Sequence, residues 1–153
     1  IRLSLVGSEM CIRDRYNCTQ AVVGAFADVI GMDFDTAVRF SSGFGGGMGR
    51  LREVCGTFSG AVIVVNALYG YSDPKNVQAK AELYSLIQEL GAQFRRDNGS
   101  IICKELLGLS RPEGSPIPEA RTDEYYKKRP CPELCRYSAN MLEEYIREHP
   151  PVK

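Results

Sequence analysis

Five of the seven positions from 43 to 49 are glycine, within the run SSGFGGGMGR at 41–50. Each glycine brings backbone freedom that folding must remove, so neither a helix nor a strand is expected to run through it. The run is expected to bend through several positive-φ positions and feed the helix that follows. It does not match a phosphate cradle. A dinucleotide fingerprint needs Gly at i, i+2 and i+5, and the last falls on Met48 counting from Gly43 and on Arg50 counting from Gly45. No Gly-Lys-Ser/Thr follows and no strand precedes, so nucleotide binding is set aside.

On either side of the run, apolar residues recur at helical spacing. Asn17 is the expected cap of a first helix carrying Ala21, Val22, Ala25, Phe26, Val29 and Ile30, which Gly31 ends. Asp33 or Asp35 caps a short second helix with Ala37, Val38 and Phe40. A third, over about residues 52–69, is apolar on nearly every side and is expected to be the central, buried helix. Ser72 or Asp73 caps a fourth, with Pro74 at its first position and Val77, Ala81, Leu83, Tyr84, Ile87, Leu90 and Phe94 as its inner stripe. Ser100 caps a short fifth over 101–107, and Pro132 opens a last helix reaching about Glu148. The polar, proline-bearing stretch 109–130 is expected to be a lid, a wrap-around segment or a disordered insert. No segment alternates with period two. The expected fold is all-α, a compact single-domain bundle of five to six helices around the third.

Residues 16–148 make up that domain, and 149–153 form a tail holding the lone His149, expected to be solvated. Residues 1–15 fit no periodic template and resemble a translated adaptor string found at the ends of metagenome-derived sequences. They are expected to be non-native or disordered, which leaves Cys11 aside.

Within 153 residues, 19 basic side chains balance 19 acidic ones, which argues against nucleic acid as a partner. No apolar run approaches the ~18–20 residues of a membrane helix. With no export signal visible, a cytoplasmic setting without structural disulfides is expected. Six cysteines against one histidine exclude most Cys–His catalysis and most mixed zinc sites, leaving sulfur chemistry.

Four thiols fall at expected helix starts: Cys18 after Asn17, Cys55 in the first turn of the third helix, Cys103 after Ser100, and Cys131 before Pro132. Unpaired N–H groups and the positive dipole end favour anionic sulfur there, so lowered pKa values and reactive or metal-binding roles are expected. Each could equally fill a core. No CxxC occurs, so neither a thioredoxin motif nor a zinc ribbon is present. Gly56 and Gly60, four apart on the third helix, form a smooth strip where a neighbouring helix or a bulky cluster could come near.

Asn-Cys18-Thr-Gln-Ala, the stretch Gly45-Gly46-Gly47-Met48-Gly49, and Cys55-Gly56-Thr57-Phe58-Ser59-Gly60 resemble a redox-active protein family of bacteria and archaea. The family is named for its Cys…Cys-Gly-Ala-x-x-Gly…Cys…Cys pattern. Cys103 and Cys131 resemble its third and fourth cysteines, and the resemblance runs from about Tyr16 to Glu148. Thr57 stands where the family has Ala, and Cys135 is an additional thiol ranked below Cys131. The resemblance implies a small helical domain with four paired or metal-binding cysteines, often encoded near transporters or oxidoreductases, with an iron–sulfur centre as one use.

The leading expectation is a redox or electron-transfer module in which Cys18, Cys55, Cys103 and Cys131 converge. They would act as iron–sulfur or zinc ligands, or as two dithiol/disulfide pairs needing no cofactor. Gly45, Gly46, Gly47, Gly49, Gly56 and Gly60 would let a cofactor come close. The expected partner is a redox protein or oxidoreductase, with homodimerisation left open. The alternative is a structural zinc or purely packed helical domain that mediates protein–protein interaction. A third option is a thiol peroxidase or transferase built on Cys55.

Overall fold

The computed structural model describes residues 7–9, 11–12, 14–111 and 114–152. Among them the fold is all-α. Its helices are α1 (Cys18–Ala25), α2 (Phe34–Ser41), α3 (Gly56–Tyr69), α4 (Val77–Asn98), α5 (Cys103–Leu106), α6 (Asp123–Lys128) and α7 (Cys131–Glu148). A 3-10 turn, Ser42–Phe44, and a single helical turn, Gly45–Met48, fill the glycine run. An isolated antiparallel bridge between Val54 and Ile102 is the one β feature among these residues.

Helix α3 is the centre. Phe58, Ala61, Val64 and Val65 are buried on it, against Ala21 and Val22 of α1, Leu86, Leu90 and Phe94 of α4, and Leu134, Met141 and Leu142 of α7. Phe58, Phe94 and Tyr137 follow one another with ring centroids 5.6 and 5.5 Å apart. Burying a side chain of this size contributes about 1.5–3 kcal/mol. The smooth strip on α3 serves α1: a Cβ on Gly60 would stand 2.9 Å from Val22 Cβ.

Several boundaries differ from the sequence expectations. Helix α1 ends at Ala25, because the Phe26 amide turns back to Val23 and Gly24 and a series of turns leads to left-handed Gly31. Helix α3 begins at Gly56 rather than near 52, since Val54 pairs with Ile102 and the Cys55 amide donates to the Ile101 carbonyl (2.7 Å). Helix α4 begins at Val77: Asp73 accepts from the Lys75 amide in a local turn, and Asn76 caps by accepting from Ala79. Its buried side runs through Leu83, Leu86, Leu90, Gly91 and Phe94, while Val77 and Tyr84 face outward, as does Phe40 on α2. Among its described residues, the stretch 109–130 holds α6.

Of the first fifteen residues, 1–6, 10 and 13 lie outside those described. Cys11 and Ile12 are buried in the main core, and Glu9 pairs with Arg136 at 2.6 Å. In the tail, exposed His149 stacks on Tyr145. No helix among the described residues is long and apolar enough to cross a membrane.

Candidate functional site

Each of the four cysteines sits at a helix start. Asn17 caps α1 by accepting from the Gln20 amide (2.9 Å), while the Gln20 side chain accepts from the Asn17 amide (3.1 Å). The Asn17 amide group also donates to the Ser42 carbonyl (2.9 Å), tying α1 to the glycine run. Gly45 packs there so closely that a Cβ would meet Asn17 Cγ at 2.3 Å. Cys18 follows as the first helical residue and is half-buried.

Cys55 is the N-cap of α3 and is buried. Its Sγ lies 3.2 Å from Thr57 Oγ1, the hydroxyl that this chain has where the resembling family has alanine. Thr19 Oγ1 donates to the Gly56 carbonyl (2.9 Å), locking α1 against the start of α3. Cys103 is the first residue of α5, and Arg52 Nη1 reaches its Sγ at 3.7 Å. Cys131, half-buried, opens α7 after Pro130, with Pro132 behind it.

The loop that joins these parts is left-handed for most of its length. Gly46, Gly47, Met48, Gly49, Arg50 and Arg52 all have positive φ. For a residue with a Cβ this costs about 1–2 kcal/mol. Hydrogen bonds from the Arg52 amide to Gly46 (3.2 Å) and from the Glu53 amide to Gly47 (3.0 Å) hold it. Gly47 is where the loop crosses Cys103: a Cβ there would meet Cys103 Cβ at 2.6 Å and Arg52 Cα at 2.8 Å.

All four cysteines line one cavity of about 470 Å³, together with Gly45, Gly46, Gly49 and Gly56. Gly47 and Gly60 are packed behind it, against Cys103 and Val22. The stretch 116–129 forms the far wall, with Pro118, Tyr125 and Arg129 among its lining residues. The six cysteines are free thiols.

Burial dominates the electrostatics. It pushes Cys55 up to about 11, aided by the neighbouring Cys18 and partly offset by hydrogen bonds from Thr57. It pushes Cys131 up to about 12, with Cys18, Cys55 and Cys103 adding to the rise and Arg129 opposing it. Cys103 is also raised by burial, against the lowering pull of Arg52. The expectation of lowered values at these three helix starts is therefore overturned. A helix dipole is worth about 0.3–1 kcal/mol, less than one pKa unit, and desolvation exceeds it. A thiol peroxidase needs the reverse of what Cys55 has.

Cys135 lies in the core, one turn behind Cys131, and donates to the Cys18 carbonyl across 3.7 Å. It does not line the cavity. Absent from the sequence reading are the arginines of the cavity wall. Two of them flank the end of the glycine run, at 50 and 52, and two sit in the proline-bearing stretch, at 121 and 129. Their clustering was the available signal.

No curated protein and no solved structure matches this chain. A family model does match, over residues 16–145, the span that carries all four cavity cysteines and the left-handed loop. The chain belongs to the family described as "Putative redox-active protein (C_GCAxxG_C_C)".

Proposed function

We propose that the protein is a small electron-transfer module in which Cys18, Cys55, Cys103 and Cys131 hold an iron–sulfur cluster. The observation that carries this reading is the meeting of four free thiols, from four separate helix starts, on one cavity. The donor set suits the group, since two-iron and four-iron clusters both take four thiolates. Among the described residues, no three Cys, His, Asp or Glu side chains gather about a point that could hold one ion.

A bound cluster supplies one-electron transfer. The chain's own part is to deliver four soft ligands, to exclude water from Cys55 and Cys103, and to give up their protons on ligation. Gly56 lets the Cys18 sulfur lie against the start of α3 beside Cys55. That closeness supports a second reading, in which Cys18 and Cys55 form a dithiol/disulfide pair. Its oxidation would release two protons and pass two electrons to a partner oxidoreductase. Either use suits a reducing, cytoplasmic setting.

Anaerobic purification followed by iron and sulfide analysis, with visible absorption before and after reduction, tests the proposal. A coloured protein that bleaches on reduction is expected. Serine at 18, 55, 103 or 131 should lower the iron content, while Cys135→Ser should retain it. A colourless, metal-free protein would overturn the cluster, and loss of two thiols on mild oxidation of that protein would establish the pair.

A further inference from the structure

Tyr125, on α6, lines the cavity together with Cys18 and Cys131. Its ring is held by several neighbours. The Arg121 and Arg129 guanidinium carbons lie 5.0 and 4.8 Å from its centre, and the Tyr126 ring meets it edge-on at 5.3 Å. Arg129 is fixed in turn by Glu119 at 2.5 Å. The Tyr125 amide donates to the capping Thr122 hydroxyl (3.2 Å), which holds the backbone. Among the described residues, the hydroxyl at the end of this ring has no hydrogen-bond partner. The adjacent Tyr126 hydroxyl, by contrast, donates to the Ile12 carbonyl (3.2 Å).

A tyrosine whose ring is partly buried normally finds a partner for its hydroxyl. Burial pushes the Tyr125 phenol above its ordinary value, Arg121 and Arg129 oppose the rise, and Cys131 and Cys18 add to it. The phenol and these two sulfurs therefore lie within electrostatic reach of one another. Positive charge over the ring makes its hydroxyl a stronger donor. A thiol is a weak acceptor for such a donor, whereas a thiolate, free or bound to metal, accepts strongly. The Cys18 sulfur is packed against Gly56, on the far side of its own helix start. Cys131 follows Tyr125 by six residues and Arg129 by two.

We propose that the Tyr125 hydroxyl donates a hydrogen bond to the Cys131 sulfur once that sulfur is anionic, and so tunes the potential of the centre that Cys131 serves. Hydrogen bonds to ligand sulfurs stabilise the more negative, reduced state and raise the potential. The bond itself needs no metal. Its effect on a cluster potential rests on the cluster reading above.

Spectroelectrochemistry of the anaerobically purified full chain tests the bond, paired with iodoacetamide labelling of the metal-free form at about pH 9. Tyr125→Phe keeps the ring between its cations and removes only the donor. Its iron content should match wild type, and its potential should fall by about 59 mV, a tenfold change in a one-electron equilibrium. In metal-free protein, labelling of Cys131 should slow about three- to fourfold, since tenfold less thiolate is offset in part by its greater nucleophilicity. Labelling of Cys55 should stay as it was. Tyr126→Phe, which removes a hydroxyl already bound to a carbonyl, should move neither reading. Melting curves check that each variant folds, and the labelling decides if Tyr125→Phe holds less iron. An unmoved potential in iron-loaded Tyr125→Phe, unmoved Cys131 labelling in its metal-free form, or an equal shift in Tyr126→Phe overturns the proposal. Iron content of the wild type reports the cluster reading separately. Iron-free wild type in which Tyr125→Phe still slows Cys131 labelling sinks the cluster and keeps the bond. Iron-loaded protein with neither reading changed does the opposite.

Discussion

A Cβ on Gly56 would stand 2.3 Å from Cys18 Sγ and 2.6 Å from Thr19 Oγ1, so this residue sets how near α1 can bring its thiol to Cys55. Gly56→Ala is expected to cost about 1–3 kcal/mol in urea denaturation, the range for overpacking a tight core. It should also lower the iron content. Gly43→Ala has open space around it and should change neither. The thiols themselves give a pH signature in metal-free protein. Only a thiolate is alkylated, and with Cys55 raised to about 11 and Cys131 to about 12, both charged forms appear only as pH rises toward those values. At pH 8 the Cys131 thiolate fraction is on the order of one in ten thousand. Peptide mass spectrometry of iodoacetamide labelling should show both rates climbing about tenfold per pH unit from 8 to 10; a plateau below pH 9 at either residue would contradict the burial account. Thr57 lowers the Cys55 value by hydrogen bonding. Thr57→Ala should therefore slow labelling of Cys55 and leave Cys131 as it was.

Between elements, the capping box at Asn17 does two jobs: it starts α1 at Cys18 and holds the glycine run through the Ser42 carbonyl. Asn17→Ala is expected to lose about 1–2 kcal/mol, measured by denaturant unfolding, because the cap and the cross-link go together. Asn17 was legible as a cap because apolar residues follow it at helical spacing, whereas Asp33 and Asp35 stood as alternatives until the structure showed Asp33 accepting from the Thr36 amide. Ser72 or Asp73 was expected to cap the fourth helix and Asn76 does so instead, since several short polar side chains precede that helix and only the fold decides which one caps it. The start of α3 was misplaced for a related reason. Nothing in residues 52–55 reveals that Val54 will pair with Ile102, almost fifty positions away. The outward turn of Val77 and Tyr84 reflects a periodic pattern whose phase is set by neighbours. The left-handed loop was foreseen at its glycines, whereas positive φ at Met48, Arg50 and Arg52 runs against side-chain preference and needed the structure to be seen.

For the molecule as a whole, the four cysteines bring the starts of helices distant in sequence to one cavity. If they share a cluster, its removal breaks links among α1, α3, α5 and α7 at once. Chelation under anaerobic conditions should lower the melting temperature, and the loss should be recovered on reconstitution with iron and sulfide. That Cys18, Cys55, Cys103 and Cys131 stand at helix starts was readable from caps, glycines and prolines in the sequence. That burial would outweigh the helix dipole was not, because desolvation depends on what the rest of the chain places overhead. The distribution of ligands along the polypeptide also has a consequence for synthesis. Cys131 lies more than a hundred residues beyond Cys18, so a ribosome that has already made Cys18 must add all of that chain before the fourth sulfur exists. At about 5–20 residues per second, that interval is on the order of ten seconds. Throughout it the earlier thiols stand on an unfinished nascent chain, and a centre held by all four sulfurs would be completed only once Cys131 has been made.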